Sequence, residues 1–460
     1  MKFTLSDIIR ICDGELVHGD ASTSCTGISI DTRTMKMGDL YVAIKGHFLD
    51  GHKFCKDAIE KGAVALLVSS DSDFVSDVPT IRVKDTVDAI GSIAAWWRDD
   101  FDVPCVGITG SNGKTTTKEM VSLVAGKLGR VLKTRGNYNN LIGLPLTIFN
   151  WEKDDSAAVL EMGMNAFGEI KRLTQIARPT IGLITNVTAA HLEKLGDISD
   201  VARAKGELFE NMDTSAIAII NQEDPFVKSL SDTFKGEKIG FGMQNSADVR
   251  FLHMEIIGFE EMTLKISVRG RECSSKLKVV GAHNVMNAMA AVSVGLALGI
   301  SGEETMRRLS EFKPISMHLE QVQLKNGVRL VNDAYNANPE SVKASMRTVS
   351  GAPRSGRFIA VLGDMLELGE KSGELHFDIG KSASGFGVQK LYAVGKFARF
   401  IEEGARSSGL EDIASFGDVS ETFSSIEKEL NQGDILLVKG SRGMRMERLV
   451  EYLKERVGVD

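Results

Sequence analysis

VGITGSNGKTTTKEM, residues 106–120, reads as an apolar strand that runs into a glycine-rich turn and then opens a helix on Lys114 and three threonines. Gly110 and Gly113 let backbone N–H groups turn inward and approach phosphate oxygens with no Cβ in the way. Ser111 and Asn112 complete the loop between them. The dipole of the following helix favours an anion at its N-terminus, Lys114 can reach outer phosphates, and Thr115 or Thr116 offers a hydroxyl to Mg²⁺. The strict spacing GxxxxGK[ST] would need glycine at Ile108, whereas Gly107 stands one residue early. Strand, turn, Lys-Thr and helix still follow in order, so a nucleotide site is expected here.

Outward from this loop, apolar strand candidates alternate with helical segments from 103 to about 313. They include AAVLEMG (157–163), TIGLITNV (180–187) and AIAIIN (216–221). That alternation predicts a parallel sheet covered by helices. A strand-rich patch at 238–280 precedes the helical stretch NVMNAMAAVSVGLALG (284–299). Upstream, residues 1–84 mix short strand-like runs with glycine turns, and DTVDAIGSIAAWWRDDF (85–101) reads as a helix. Downstream of Pro314 the strands VRLVND, RFIAVLGD, QKLYAVG and DILLVKG predict a small doubly wound domain with ligands at its carboxyl ends. The final strand there leads through GSRG into an amphipathic helix, MRMERLVEYLKE. The fold class expected is α/β in three domains. These are a small mixed domain at 1–84, a central P-loop ATPase-like parallel-sheet domain at 85–313, and a C-terminal Rossmann-like domain at 314–460.

A chain of 460 residues is too long for one hydrophobic core, which fits this division. Its net charge of −7, with both signs interspersed, argues against nucleic acid or an anionic membrane as the main partner. Five scattered cysteines with no CxxC pair suggest buried filler in a reducing compartment. The N-terminal residues lack an apolar signal core, and no run is long enough to span a bilayer, so no membrane insertion and a cytoplasmic location are expected.

Seven motifs stand in one order: TGSNGKTTTKE, GNYNNLIGLPLT, EMGMN, NVTAAHLE, RAKGELF, GAHNVMNAMAA and NDAYNANPES. In that order the chain resembles the Mur ligase family over nearly its whole length, and NDAYNANPES is similar to the dipeptide-adding branch. The resemblance implies an ATP-dependent amide ligase of cell-wall synthesis. It would add D-Ala-D-Ala to a UDP-N-acetylmuramoyl-tripeptide through an acyl phosphate, acting as a monomer with two Mg²⁺ ions.

Residue roles follow from the same resemblance. Glu161, a hard carboxylate at a strand end, and Thr115 would bind one Mg²⁺ beside the phosphate loop. His191 would bind the second metal, although imidazole is an unusual Mg²⁺ ligand. Lys205, otherwise an ordinary helix lysine, would be carbamylated, which turns a cation that repels Mg²⁺ into an anion that supports it. Asn284 and Asn287, three residues apart on one helix face beside His283, would meet the adenine or ribose, with helix capping by Asn284 as the plainer alternative. Asp333 would sit near the nucleotide, followed by Tyr335, Asn336 and Asn338. Relatives carry Arg where this chain has His318.

For the muropeptide, SIDTRTMKMGDLYVAIKGHFLDGHKF (29–54) resembles the family's UDP-sugar segment, with Asp31, Thr32 and Arg33 facing uracil or diphosphate. Asn137, Asn139 and Asn140 would orient the peptide, or serve as turn formers. Asp364 and Arg442 are candidates for the dipeptide. Two other readings compete: a ligase extending folates with glutamate, and a nucleotide-regulated binding protein without turnover.

Overall fold

A computed structural model describes residues 2–46, 49–72, 76–258 and 260–459. Among these, the strands form four sheets: a short pairing of Phe3–Thr4 with Ser24–Cys25, then sheets of five, nine and six strands along the chain.

The nine-stranded sheet carries the phosphate loop. Its strand Cys105–Thr109 lies between Asp155–Glu161 and Ile181–Ile184, parallel to both. All five of its residues are buried, as befits a parallel strand covered on both faces. Val106 and Ile108 pack towards the helices Lys114–Ala125 and Ala282–Ala297. Cys105 faces the other way, towards Glu169–Ala177 and Ile198–Asn211. Beyond Ile181–Ile184 come Ile217–Asn221, Glu237–Gly242 and Val249–Ile257, still parallel. The antiparallel strands Glu261–Val268 and Arg271–Leu277 finish this side, so the strand-rich patch extends the central sheet, and Arg130–Lys133 forms the opposite edge beside Asp155–Glu161.

Gly107 belongs to this strand and not to the loop. A Cβ there would meet Met162 Cε at 2.9 Å and Pro179 Cβ at 3.2 Å, so the glycine serves close strand packing. The phosphate turn starts at Gly110, whose φ of 147° leaves the range ordinary side chains adopt. That separation of roles explains the irregular motif spacing.

The C-terminal sheet runs Glu320–Gln323, Arg329–Asp333, Ile435–Lys439, Phe358–Gly363, Lys390–Val394 and Ile413–Phe416. Only the first is antiparallel to its neighbour. The last strand of the chain inserts between the first two parallel ones, and the loops after Asp333 and Lys439 leave side by side. The terminal helix starts later than MRMERLVEYLKE suggests, at Glu447. A 3₁₀ turn at Arg442–Met444 and a left-handed Arg445 with φ 51° come first.

The N-terminal sheet, Glu15–His18, Thr80–Val83, Ala65–Ser69, Asp39–Val42 and Gly27–Ser29, is parallel except at its first edge. The following helix, Thr86–Arg98, is capped by Asp85, which accepts the N–H of Val87 at 2.7 Å and of Asp88 at 3.0 Å. Its Ala89 and Ile93 join the N-terminal core, while Ala94 joins the central one. A helix apolar on more than one face is thereby shared between two cores. Among the described residues no helix is long and apolar enough to cross a membrane, and all five cysteines are free thiols.

Candidate active site

The phosphate loop is laced to the loop after Ile181–Ile184. Ser111 N donates to Asn186 O at 2.9 Å, and Asn112 N to Asn186 Oδ1 at 2.9 Å. Thr188 N donates to Ser111 Oγ at 2.9 Å, while Thr185 Oγ1 donates to Asn112 O at 2.6 Å. These bonds fix the loop before any ligand arrives. The helix Lys114–Ala125 begins at Gly113, φ 77°, with no side-chain cap. Its first N–H groups therefore face the cleft as donors for an anion. Lys114 folds back, donating to Gly110 O at 2.8 Å and Ser111 O at 3.3 Å. Burial lowers its pKa, and Glu161 partly opposes that.

Glu161 ends the neighbouring strand and is almost fully buried. Its Oε2 accepts from Thr115 Oγ1 at 3.1 Å and its Oε1 from Asn139 Nδ2 at 2.8 Å. Thus Asn139, expected to hold substrate, is seen to hold Glu161. Asn140 Oδ1 accepts from Gly143 N at 2.8 Å and Ile142 N at 3.2 Å, which fixes the turn into Gly143–Ile148. Asn137, Asn139 and Asn140 all line the same cavity.

That cavity has a volume of about 760 Å³ and lies between the central and C-terminal domains. Ser111 to Thr116, Glu161, His191 and Lys205 line it from one side, and His318, Asp333, Tyr335, Asn336 and Lys439 from the other. Lys205 is 1% exposed and has no hydrogen-bond or ion-pair partner among the described residues. Desolvation first, and the charge of Lys114 second, push its pKa well below the ordinary lysine value. His191 stands at the start of Leu192–Leu195 with φ 57°, and its Nδ1 lies 2.6 Å from Glu367 Oε2 of the C-terminal domain.

On the opposite wall, Asp333 Oδ2 accepts from Lys439 Nζ at 2.6 Å and Ser345 Oγ at 2.5 Å, and its Oδ1 from Leu319 N at 3.2 Å. Lys439 also donates to Asn336 O at 3.0 Å. This buried lysine escaped sequence reading, although it ends the strand in DILLVKG. His318 packs against Tyr335, ring centroids 4.6 Å apart and planes tilted by 32°, between the left-handed Met317 and Leu319. Burial holds its imidazole pKa below the ordinary value, and the nearby Asp333 carboxylate partly opposes that. The two walls also touch: Asn338 Nδ2 donates to Asn112 Oδ1 at 2.6 Å.

Asn284 does not cap its helix. Gly281 stands at the cap, and Asn284 Nδ2 donates to Val280 O at 2.9 Å from inside the first turn. Asn287 Nδ2 donates to Asn284 Oδ1 at 3.1 Å, and Asn287 Oδ1 accepts from Thr117 Oγ1 at 3.2 Å. The amide pair thus braces the phosphate loop from behind while also lining the cavity.

Asp31, Thr32 and Arg33 do not line this cavity. Arg33 closes a two-pronged pair with Asp31, Nη2 to Oδ2 at 2.7 Å and Nε to Oδ1 at 2.9 Å. The guanidinium pulls the Asp31 pKa down to about 2. Thr32 O accepts from Lys61 Nζ at 2.9 Å. His47 and Phe48 of the same segment lie outside the described residues. Asp364 and Arg442 are also absent from the lining. The Asp364 carboxylate accepts the N–H groups of Lys396 at 2.8 Å and Phe397 at 3.0 Å, which ties two strand ends together. Arg442 pairs with Glu447 at 3.3 Å.

Among the described residues no three His, Cys, Asp or Glu side chains gather into a metal cage. A protein that presents Mg²⁺ with one carboxylate and one hydroxyl needs no such cage, because Mg²⁺ takes its remaining ligands from phosphates and water. Glu161 and Thr115 beside the phosphate loop fit that donor set.

Comparison with known proteins agrees with this geometry. Three family descriptions match in chain order: "Mur ligase family, catalytic domain" over residues 24–98, "Mur ligase middle domain" over 108–295, and "Mur ligase, glutamate ligase domain" over 319–442. The chain belongs to the Mur ligase family and is an ATP-dependent ligase. More particularly, it is 34% identical to the UDP-N-acetylmuramoyl-tripeptide–D-alanyl-D-alanine ligase of Bacillus subtilis over 99% of both chains. It is equally 34% identical to the enzyme of that name from Escherichia coli, again over 99% of both. Its fold matches MurF from Acinetobacter baumannii with a TM-score of 0.91, at 29% identity and 99% coverage of both chains. MurF ligase from Thermotoga maritima in complex with ADP matches with a TM-score of 0.84 at 28% identity, covering 94% of this chain and 97% of that one.

Proposed function

We propose that this protein joins D-Ala-D-Ala to a UDP-N-acetylmuramoyl-tripeptide, consuming ATP and releasing ADP and phosphate, and so makes the pentapeptide precursor of peptidoglycan. The observation that carries this reading is that one cavity has the phosphate loop and Glu161 on one wall and the NDAYNANPES loop on the other.

The chemistry needs a carboxylate to become an electrophile. The tripeptide's terminal carboxylate attacks the γ-phosphorus of ATP, ADP leaves, and an acyl phosphate forms. The dipeptide's amine then adds to the acyl carbon, loses a proton, and expels phosphate as the amide forms. Two Mg²⁺ ions, when bound, would screen the repulsion between attacking carboxylate and triphosphate. Glu161 and Thr115 would hold one of them, and His191 with Lys205 would serve the other.

Within the chain, the uncapped helix at Gly113 and the glycines of the loop receive phosphate oxygens, and Lys114 turns from its own loop carbonyls to the outer phosphates. Asn139 keeps the Glu161 carboxylate oriented. Burial favours the neutral amine of Lys205, the form that adds to CO₂, giving a carbamate anion and a proton. Carbamylation of Lys205 would therefore replace a buried, unpartnered amine with an anion beside Lys114. Asp31, Thr32 and Arg33 would bind the uridine diphosphate outside this cavity, and the Asp31–Arg33 pair would have to open for it.

The test is direct. Protein, ATP, Mg²⁺, D-Ala-D-Ala and a UDP-muramoyl-tripeptide carrying either lysine or diaminopimelate should yield a pentapeptide by mass, with ADP released in equal amount. Absence of product with both tripeptides would overturn the proposal. Turnover with a folate and glutamate instead would move the chain to the neighbouring branch of ligases.

A further inference from the structure

Glu367 is an exposed residue of the C-terminal domain. It is absent from the lining, whereas its partner His191 is present. The two residues come from different domains, Glu367 from the loop after Phe358–Gly363 and His191 from the loop after Ile181–Ile184. Their side chains meet at 2.6 Å, Nδ1 to Oε2, and the backbone repeats the contact: Glu193 N donates to Glu367 O at 3.1 Å.

Both residues hold left-handed backbones, φ 57° at His191 and φ 65° at Glu367. For residues with a Cβ that conformation is strained, a strain glycine avoids. Gly369, two residues further on, does take the glycine solution at φ 62°, where a Cβ would come within 3.1 Å of Glu193 Cα. Strained non-glycine residues facing each other across a domain boundary point to side chains that must be present. Leu375 packs against the hydrophobic cores of both domains, while the Glu367 side chain itself is 54% exposed.

We propose that Glu367 is a positioning residue for His191: its carboxylate, carried by the C-terminal domain, accepts the Nδ1 proton and leaves Nε2 free to bind metal. A ligating histidine commonly donates its second ring N–H to a carboxylate, which fixes tautomer and orientation, and loss of such a partner costs about 10- to 100-fold in metal affinity. Here the partner comes from another domain, so the second metal position draws on residues of both. The inference rests on the reading of His191 as a metal ligand given above.

The experiment separates the two. Mn²⁺ is titrated into the full chain with saturating ADP, free Mn²⁺ is counted by electron paramagnetic resonance, and melting curves check the fold. The expected result is loss of one Mn²⁺ site in His191→Ala, about ten-fold weaker binding at that site in Glu367→Ala, and binding within about three-fold of wild type in Glu367→Gln, whose carbonyl still accepts Nδ1–H. If His191→Ala loses the site while Glu367→Ala binds as wild type, the positioning role is overturned and the metal reading stands. Equal losses in Gln and Ala variants would also overturn it, because charge and not orientation would then be at work. If His191→Ala keeps both sites, the metal reading fails and the positioning role with it.

Discussion

A lysine with no partner at the floor of a cleft is a costly arrangement, and Lys205 is such a residue. Burial and the neighbouring Lys114 both disfavour its charged form, so the folded chain holds fewer protons than the unfolded one. Stability drawn from this site must rise with pH above the depressed pKa. Replacement by methionine keeps the volume and removes the unpaired amine, so in CO₂-depleted buffer Lys205→Met should melt a few degrees higher than wild type while ligase activity collapses. Equal or lower melting would show that the amine is satisfied in solution. In Lys205→Ala, formate or acetate should restore part of the activity by standing where the carbamate would be. A second titration concerns His283, whose pKa burial lowers from 6.5 to about 4. Between those values the unfolded chain binds the extra proton, so the histidine's contribution to stability falls as pH drops from 6.5 towards 4. Melting temperature measured across that window should fall less steeply in His283→Gln; because the ring lines an open cavity, the difference should be modest.

Among elements, the phosphate turn and its strand make different demands on glycine. At Gly113 the left-handed φ of 77° combines with close approach: an added Cβ would collide with Asn287 Oδ1. Gly113→Ala should lower ADP affinity by more than ten-fold in calorimetric titration and cost about 1–2 kcal/mol of stability. Gly107→Ala should behave in the opposite sense, losing stability through Met162 and Pro179 while ADP affinity stays within about two-fold. A large affinity loss at Gly107 would return that residue to the loop. The strand and loop were legible because an unbroken apolar run followed by Gly-x-x-Gly-Lys-Thr admits few other structures. The edge strands Glu320–Gln323 and Ile413–Phe416 were not legible, because a short edge strand that alternates weakly looks like a loop.

For the whole molecule, the question is what holds the two walls of the cavity together. Asn338 caps Pro339–Ser350, accepting from Ser341 N at 2.9 Å, and also donates to Asn112 in the phosphate loop. Serine caps a helix about as well as asparagine but is too short for the second contact. Asn338→Ser should therefore melt near wild type yet raise the KM for ATP several-fold, whereas Asn338→Ala should also lose about 1 kcal/mol of stability. If the serine variant shows wild-type KM, the amide bridge plays no part in forming the nucleotide pocket. Small-angle scattering of Glu367→Ala should likewise show a larger radius of gyration, since that variant removes the side-chain contact between His191 and Glu367 across the two domains.

The sequence by itself determined the phosphate loop, the alternation that makes two parallel sheets, and the identity of Glu161, His191, Lys205 and Asp333 as residues worth watching. The loop and the sheets are encoded locally, by spacing and apolar runs, whereas the roles expected of those four residues rest mainly on the family resemblance carried by motifs read in order. Only the tertiary structure decided that Asn139 serves Glu161, that Lys439 neutralises Asp333, that Arg33 pairs with Asp31, and that Glu367 reaches His191 across a domain boundary. Those partners lie from 2 to 176 positions apart in the chain, and a hydrogen bond depends on distance in space, which packing sets and local pattern does not.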